Sequence, residues 1–120
     1  MEAARNGDTT QRQETREGHR RSVDRAISVM RKNLGRDLSV GDLADAAYMS
    51  PYHFNRVFRR LAGIPPGQFL SALRLHKAKQ LLLKSELSVT DICFEVGYNS
   101  LGTFSRRFSE LTGLSPGKLR

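Results

Sequence analysis

An internal repeat runs through residues 38–117 of this chain. Shifting the sequence by 49 residues lays Leu38, Ser39, Val40 and Asp42 on Leu87, Ser88, Val89 and Asp91, with Leu43 on Ile92. Shifting it by 50 lays Tyr48, Ser50, Phe54, Arg56, Phe58, Leu61, Gly63, Pro66 and Gly67 on Tyr98, Ser100, Phe104, Arg106, Phe108, Leu111, Gly113, Pro116 and Gly117. Each copy is therefore a short segment, a tight turn and a second segment, with one residue added between the segments of the second copy.

Capping and periodicity make these segments helical. Ser39 precedes an apolar-periodic run with Asp42 three positions on, an N-cap followed by a first-turn carboxylate that the helix dipole favours. A short helix follows from Val40 to about Ala47. Ser50 as N-cap and Pro51 at the first helical position open the next helix. Phe54, Val57, Phe58 and Leu61 form its apolar stripe, and Gly63 ends it. The second copy repeats the pattern from Ser88 to about Gly97 and from Ser100 to Gly113. Pro65-Pro66-Gly67 opens a longer helix to about Lys84, carrying Phe69, Leu70, Leu73, Leu75, Ala78, Leu81 and Leu82. Upstream, Val23, Ile27, Met30 and Leu34 mark one face of a helix from about His19 that Gly35 stops.

No segment sustains period-two alternation, so the expected fold is all-α, about seven helices without a sheet. Residues 1–18 hold almost nothing large and apolar and are expected to be a flexible polar tail. The division is then a first helix-turn-helix unit over 19–64, a connecting helix over 65–84 and a second unit over 85–120.

The second helix of each unit carries Phe-x-Arg-x-Phe. With Phe54 and Phe58 in the core, Asn55 falls about 100° and Arg56 about 200° round the helix from Phe54, so its polar side faces away from the domain. A helix that reads DNA needs that arrangement. Charge agrees. In residues 1–20 four arginines balance four acids, so the formal net charge of +8 lies entirely in 21–120. A basic folded domain suggests a polyanionic partner, nucleic acid before an anionic membrane surface. The plainer alternative is two helical hairpins that merely pack together, with Arg56 and Arg106 as solvated charges; the duplicated, capped and basic pattern argues against it. A connecting helix of 20 residues reaches about 30 Å, close to the ~34 Å of one DNA turn. One monomer is thus expected to place two recognition helices in successive major grooves and to read an asymmetric site.

Other functions find little support. Cys93 is the single cysteine, so no intramolecular disulfide is possible and a reducing, cytoplasmic setting fits. It reads as a small buried thiol. No stretch approaches the ~20 apolar residues that span a bilayer, and no signal segment opens the chain. His19, His53 and His76 lack metal-like spacing, and no nucleophile elbow, phosphate-cradling glycine loop or paired carboxylates are present. We therefore expect no enzyme activity, cofactor, metal or small-molecule ligand. A helical protein-interaction or membrane module would use the same basic helices without base readout, and sequence preference between duplexes separates it from a regulator.

The pattern resembles the AraC/XylS family of bacterial transcription regulators. The matching residues are Leu38-Ser39, Leu43-Ala44, Ser50, Phe54-x-Arg56-x-Phe58, Gly63-x-x-Pro66-x-x-Phe69-Leu70 and Arg74-Leu75-x-x-Ala78-x-x-Leu81-Leu82. They continue with Asp91-Ile92, Gly97-Tyr98, Ser100, Phe104-x-Arg106-x-Phe108 and Gly113-x-Ser115-Pro116. Phe69, Cys93 and Leu119 depart from the family's usual residues, and Gly102 stands where a polar side chain often faces a base. The resemblance implies base contacts from Tyr52, Asn55 and Arg56 in the first unit and from Leu101, Thr103 and Arg106 in the second. Arg suits guanine, Asn suits adenine, and Leu101 or the Thr103 methyl suits only apolar edges, so the first unit is expected to specify more. Phosphate contacts are expected from Ser50, Arg59, Arg60, Ser100 and Arg107. The resemblance further implies promoter DNA and RNA polymerase as partners, activation as the outcome and a place at the nucleoid. The initiating Met and polar leading segment favour a stand-alone chain over a fragment of a longer regulator.

Overall fold

The computed structural model describes residues 2–120, with side chains from Thr15 onward. Seven helices and no strand occur among the described residues: α1 (Glu2–Lys32), α2 (Val40–Ala46), α3 (Pro51–Ala62), α4 (Pro66–Lys84), α5 (Val89–Glu95), α6 (Leu101–Thr112) and α7 (Pro116–Leu119). Serine opens five of them. Ser39, Ser50, Ser88, Ser100 and Ser115 accept the backbone N–H three residues on, from Asp42, His53, Asp91, Thr103 and Lys118, at 3.0 to 3.3 Å. Asp42 answers by accepting the Ser39 N–H at 3.0 Å, completing a capping box. Gly63 and Gly113 close α3 and α6 in the left-handed conformation, at φ 84° and 83°.

The expected tail over 1–18 differs from the observed backbone, which is helical from Glu2. Residues 11–17 are all Gln, Arg, Glu or Thr without proline, and extending an existing helix is far easier than nucleating one. Met1 and the side chains of 2–14 lie outside the described residues.

The chain divides into two compact units. One takes α1 as far as Val29 together with Ser39–Pro66 and buries Val23, Ala26, Leu43, Ala44, Ala47, Phe54, Val57 and Phe58. The other takes Met30–Leu38 with Gly67–Arg120 and is built on Leu75, Ala78, Leu82, Ile92, Cys93, Val96, Phe104 and Phe108. Thus α4 is more than the connector expected from its length: from Gly67 on it is the first helix of the second unit. The buried positions Val23 and Ala26, in the part of α1 that belongs to the first unit, recur 52 residues later as Leu75 and Ala78 of α4. The repeat is therefore one of three helices.

Two features hold the segment after α1 within the second unit. Arg74 donates from Nε to the Leu34 carbonyl at 3.0 Å and from NH2 to the Arg36 carbonyl at 2.8 Å. Backbone also comes close to backbone at two glycines: a Cβ on Gly35 would lie 2.7 Å from the Glu95 carbonyl oxygen, and one on Gly97 2.4 Å from that of Leu34.

The turns of the two copies differ from the sequence register. Tyr48 takes φ +58°, matching Gly97 at +97°; the residue is 82% exposed, and the Arg25 guanidinium lies over its ring, 4.8 Å from the centroid. Tyr98 instead is half-buried, meets Phe104 at 5.5 Å and shares a 2.6 Å hydrogen bond with Ser71. Counted from the left-handed residue, Tyr48 pairs with Gly97 and Met49 with Tyr98. The added residue is therefore Asn99, inside the turn.

Candidate nucleic-acid interface

Helices α3 and α6 are the second helices of the two units, and each buries a pair of phenylalanines four residues apart. The Phe54–Phe58 and Phe104–Phe108 centroids lie 5.6 and 5.8 Å apart, and all four rings are fully buried. That anchoring fixes the helix rotation. On α3, Tyr52, Arg56 and Arg59 fall about 140–200° from Phe54, with Asn55 at about 100°. Tyr52, Arg56 and Arg59 are exposed and Asn55 is half-buried. The Arg56 guanidinium lies over the Tyr52 ring, 5.9 Å from its centroid. Four basic residues, His53, Arg56, Arg59 and Arg60, line α3, which carries no acid.

Arg60 and His53 sit on the flank of this face rather than on its crest. Arg60 donates to Nδ1 of His19 on α1 at 2.8 Å, and the His19 and His53 rings meet edge to face at 5.4 Å. Burial first, then the charges of Arg60 and His53, hold His19 below the ordinary histidine value.

On α6 the outward positions are Gly102, Ser105, Arg106 and Ser109, the counterparts of Tyr52, Asn55, Arg56 and Arg59. Arg106 is exposed on this face. Thr103, the counterpart of His53, is half-buried on the flank, and Leu101 is the first helical residue, 41% exposed. Arg107 lies elsewhere. It corresponds to buried Val57 and lines an open cleft of about 220 Å³ with Gln68, Ser71, Ala72, Leu75, Glu110 and Leu111. Ser105 and Ser109 were absent from the sequence-derived candidates, although the 50-residue shift that pairs Arg56 with Arg106 also pairs Asn55 with Ser105 and Arg59 with Ser109.

Ser50 and Ser100 use their oxygens as N-cap acceptors. Each hydroxyl keeps a proton to donate, so a phosphate oxygen can bind at the same helix end as the free backbone N–H groups. Elsewhere, Cys93 is buried, its thiol raised by burial, and its Sγ donates weakly to the Tyr98 carbonyl at 4.0 Å. Among the described residues no cluster of three His, Cys, Asp or Glu is placed to hold a metal, and no helix is long and apolar enough to cross a membrane.

A family model described as helix-turn-helix domain matches residues 43–120. The chain is 32% identical over 98 residues to the bifunctional transcriptional activator/DNA repair enzyme AdaA of Bacillus subtilis, across 82% of this chain and 46% of that one. It is 33% identical over 88 residues to the HTH-type transcriptional activator AarP of Providencia stuartii, across 73% of this chain and 65% of that one. It therefore spans less than two thirds of either relative. Among solved structures it is similar to a transcriptional regulator of AraC type from Chromobacterium violaceum, with TM-score 0.80, 28% identity, and coverage of 87% of this chain and 93% of that one. It is also similar to the DNA-binding domain of AdpA in complex with a target DNA, with TM-score 0.77, 31% identity, and coverage of 80% and 86%. Repeat, capped helices, outward basic faces and these likenesses agree: the chain belongs to the AraC/XylS family of helix-turn-helix proteins.

Proposed function

We propose that the chain is a sequence-specific, double-stranded-DNA-binding transcription regulator that reads promoter DNA by setting α3 and α6 into major grooves. The observation that carries this reading is the outward face of α3, where Tyr52, Asn55, Arg56 and Arg59 stand on a helix locked in rotation by buried Phe54 and Phe58. Arg56 and Asn55 suit bidentate contacts to guanine and adenine, and Tyr52 stacks beside Arg56. In the second unit Arg106 is the one base-reading cation, with Leu101 and Thr103 limited to apolar or single hydrogen-bond contacts. Ser50, Arg59, Arg60, Ser100 and Arg107 supply phosphate contacts, Arg107 from the α4 flank of its helix.

Activation, as in AdaA and AarP by their names, is the proposed outcome, with RNA polymerase as partner and the cytoplasm as location. The protein acts as a monomer, without catalysis, cofactor or small-molecule ligand. The test is a pair of substitutions titrated on a specific and a scrambled duplex at fixed salt. Arg56→Ala is expected to cost about 1–3 kcal/mol on the specific duplex alone, and Arg59→Ala to weaken both duplexes alike. Equal losses on both duplexes for Arg56→Ala remove its reading role.

A further inference from the structure

The basic cluster beside the outward face of α3 has a chemistry of its own. His53 and Arg60 are seven residues apart, on one line about 40–60° round the helix from Arg56. Opposite them, within the same unit, His19 of α1 accepts from Arg60 at 2.8 Å and meets the His53 ring at 5.4 Å. A guanidinium only donates, so Nδ1 of His19 is unprotonated and its imidazole neutral. The charged groups facing His19 are Arg60 and His53 from α3, with Arg16 about 60° and Arg20 about 100° round its own helix. The acids of that stretch, Glu17 and Asp24, lie about 160° and 140° away.

A proton on His19 changes what this cluster can bind. Once Nδ1 carries hydrogen it no longer accepts from Arg60, and both groups aim N–H donors into one gap. An anionic oxygen placed there accepts from both, and its charge offsets the repulsion between the protonated His19 and Arg60. We propose that His19, His53 and Arg60 form a proton-coupled site for a backbone phosphate of the bound duplex, which extends the DNA interface from α3 onto α1. This inference rests on the DNA-binding reading above. As the phosphate docks, a solvent proton adds to His19 Nδ1, the Arg60–His19 hydrogen bond breaks, and two hydrogen bonds to phosphate oxygen form. The free protein resists that proton, because burial and its two basic neighbours depress the His19 value. Binding and protonation therefore assist each other equally, and DNA affinity rises as pH falls.

The experiment is a duplex-binding titration at fixed ionic strength from about pH 8 to about pH 5.5, the range in which histidine titrates. The wild-type chain is expected to gain up to about tenfold in affinity per pH unit at the steepest point, the limit for one coupled proton. His19→Gln keeps an acceptor for Arg60 but cannot take the proton, and is expected to lose that gain. His76→Gln, on α4 next to Gln80 and outside the cluster, is expected to keep it. A pH-independent wild type, or a His19→Gln chain with an undiminished slope, overturns the site. NMR of the His19 ring separates the sources of phosphate. A duplex is expected to raise its titration midpoint, and inorganic phosphate at the same phosphate concentration to leave it in place; equal shifts from both overturn the duplex assignment. A chain that binds no duplex at any pH refutes the DNA reading itself, whereas binding without proton dependence refutes this site alone.

Discussion

Single residues hold this fold at points that the sequence marks only faintly. Among the described residues three glycines adopt positive φ, yet they do different work. Gly63 and Gly113 have open space where a Cβ would go, so conformation alone selects them. Gly97 has in addition the Leu34 carbonyl 2.4 Å from that point and the Arg74 Nε at 2.9 Å. Gly113→Ala is therefore expected to cost about 1 kcal/mol, the ordinary left-handed penalty, and Gly97→Ala at least about twice that, because backbone must also move. Urea denaturation of the two variants checks the order, and equal losses contradict the close approach. Arg74 was visible in the sequence only as part of a family pattern; its two carbonyl acceptors lie about 40 residues away, a pairing that periodicity cannot reveal. The His19–Arg60 contact was hidden for the same reason, since its partners are 41 residues apart.

Element boundaries were far more legible, because caps and apolar spacing are local. Ser39, Ser50, Ser88 and Ser100 open helices as read, and Gly63 and Gly113 end them. The misread elements were those whose extent depends on something beyond local spacing. The polar start of α1 continues a helix set downstream, and Tyr48 takes a conformation that a register alignment of tyrosines could not anticipate. Within α6, Gly102 is the outward residue that lacks a side chain. A Cβ there meets nothing nearer than Ser100 Oγ at 3.8 Å, so alanine fits. Gly102→Ala is expected to stabilise the second unit by up to about 1 kcal/mol through helix propensity, read as a rise in the midpoint of chemical unfolding. A fall in that midpoint contradicts the open placement of the site.

At the scale of the whole molecule, the duplication ties sequence to function. Both units pair a capped short helix with a phenylalanine-anchored second helix, and α1 and α4 complete each with the same spacing of buried positions. What differs is the chemistry on the outward faces. α3 shows Tyr52, Asn55, Arg56 and Arg59, whereas α6 shows Gly102, Ser105, Arg106 and Ser109. The fold class and most of the candidate face were legible because they repeat within 120 residues. The membership of α4 in the second unit was not, because its length suggested a connector while its buried face serves a core. On the proposed function both outward faces read bases, the first more strongly, and selection of bound sequences from a random duplex library at fixed salt tests this most directly. Two short motifs are expected, one rich in information and one poor; recovery of no motif, with binding that simply follows ionic strength, contradicts base reading.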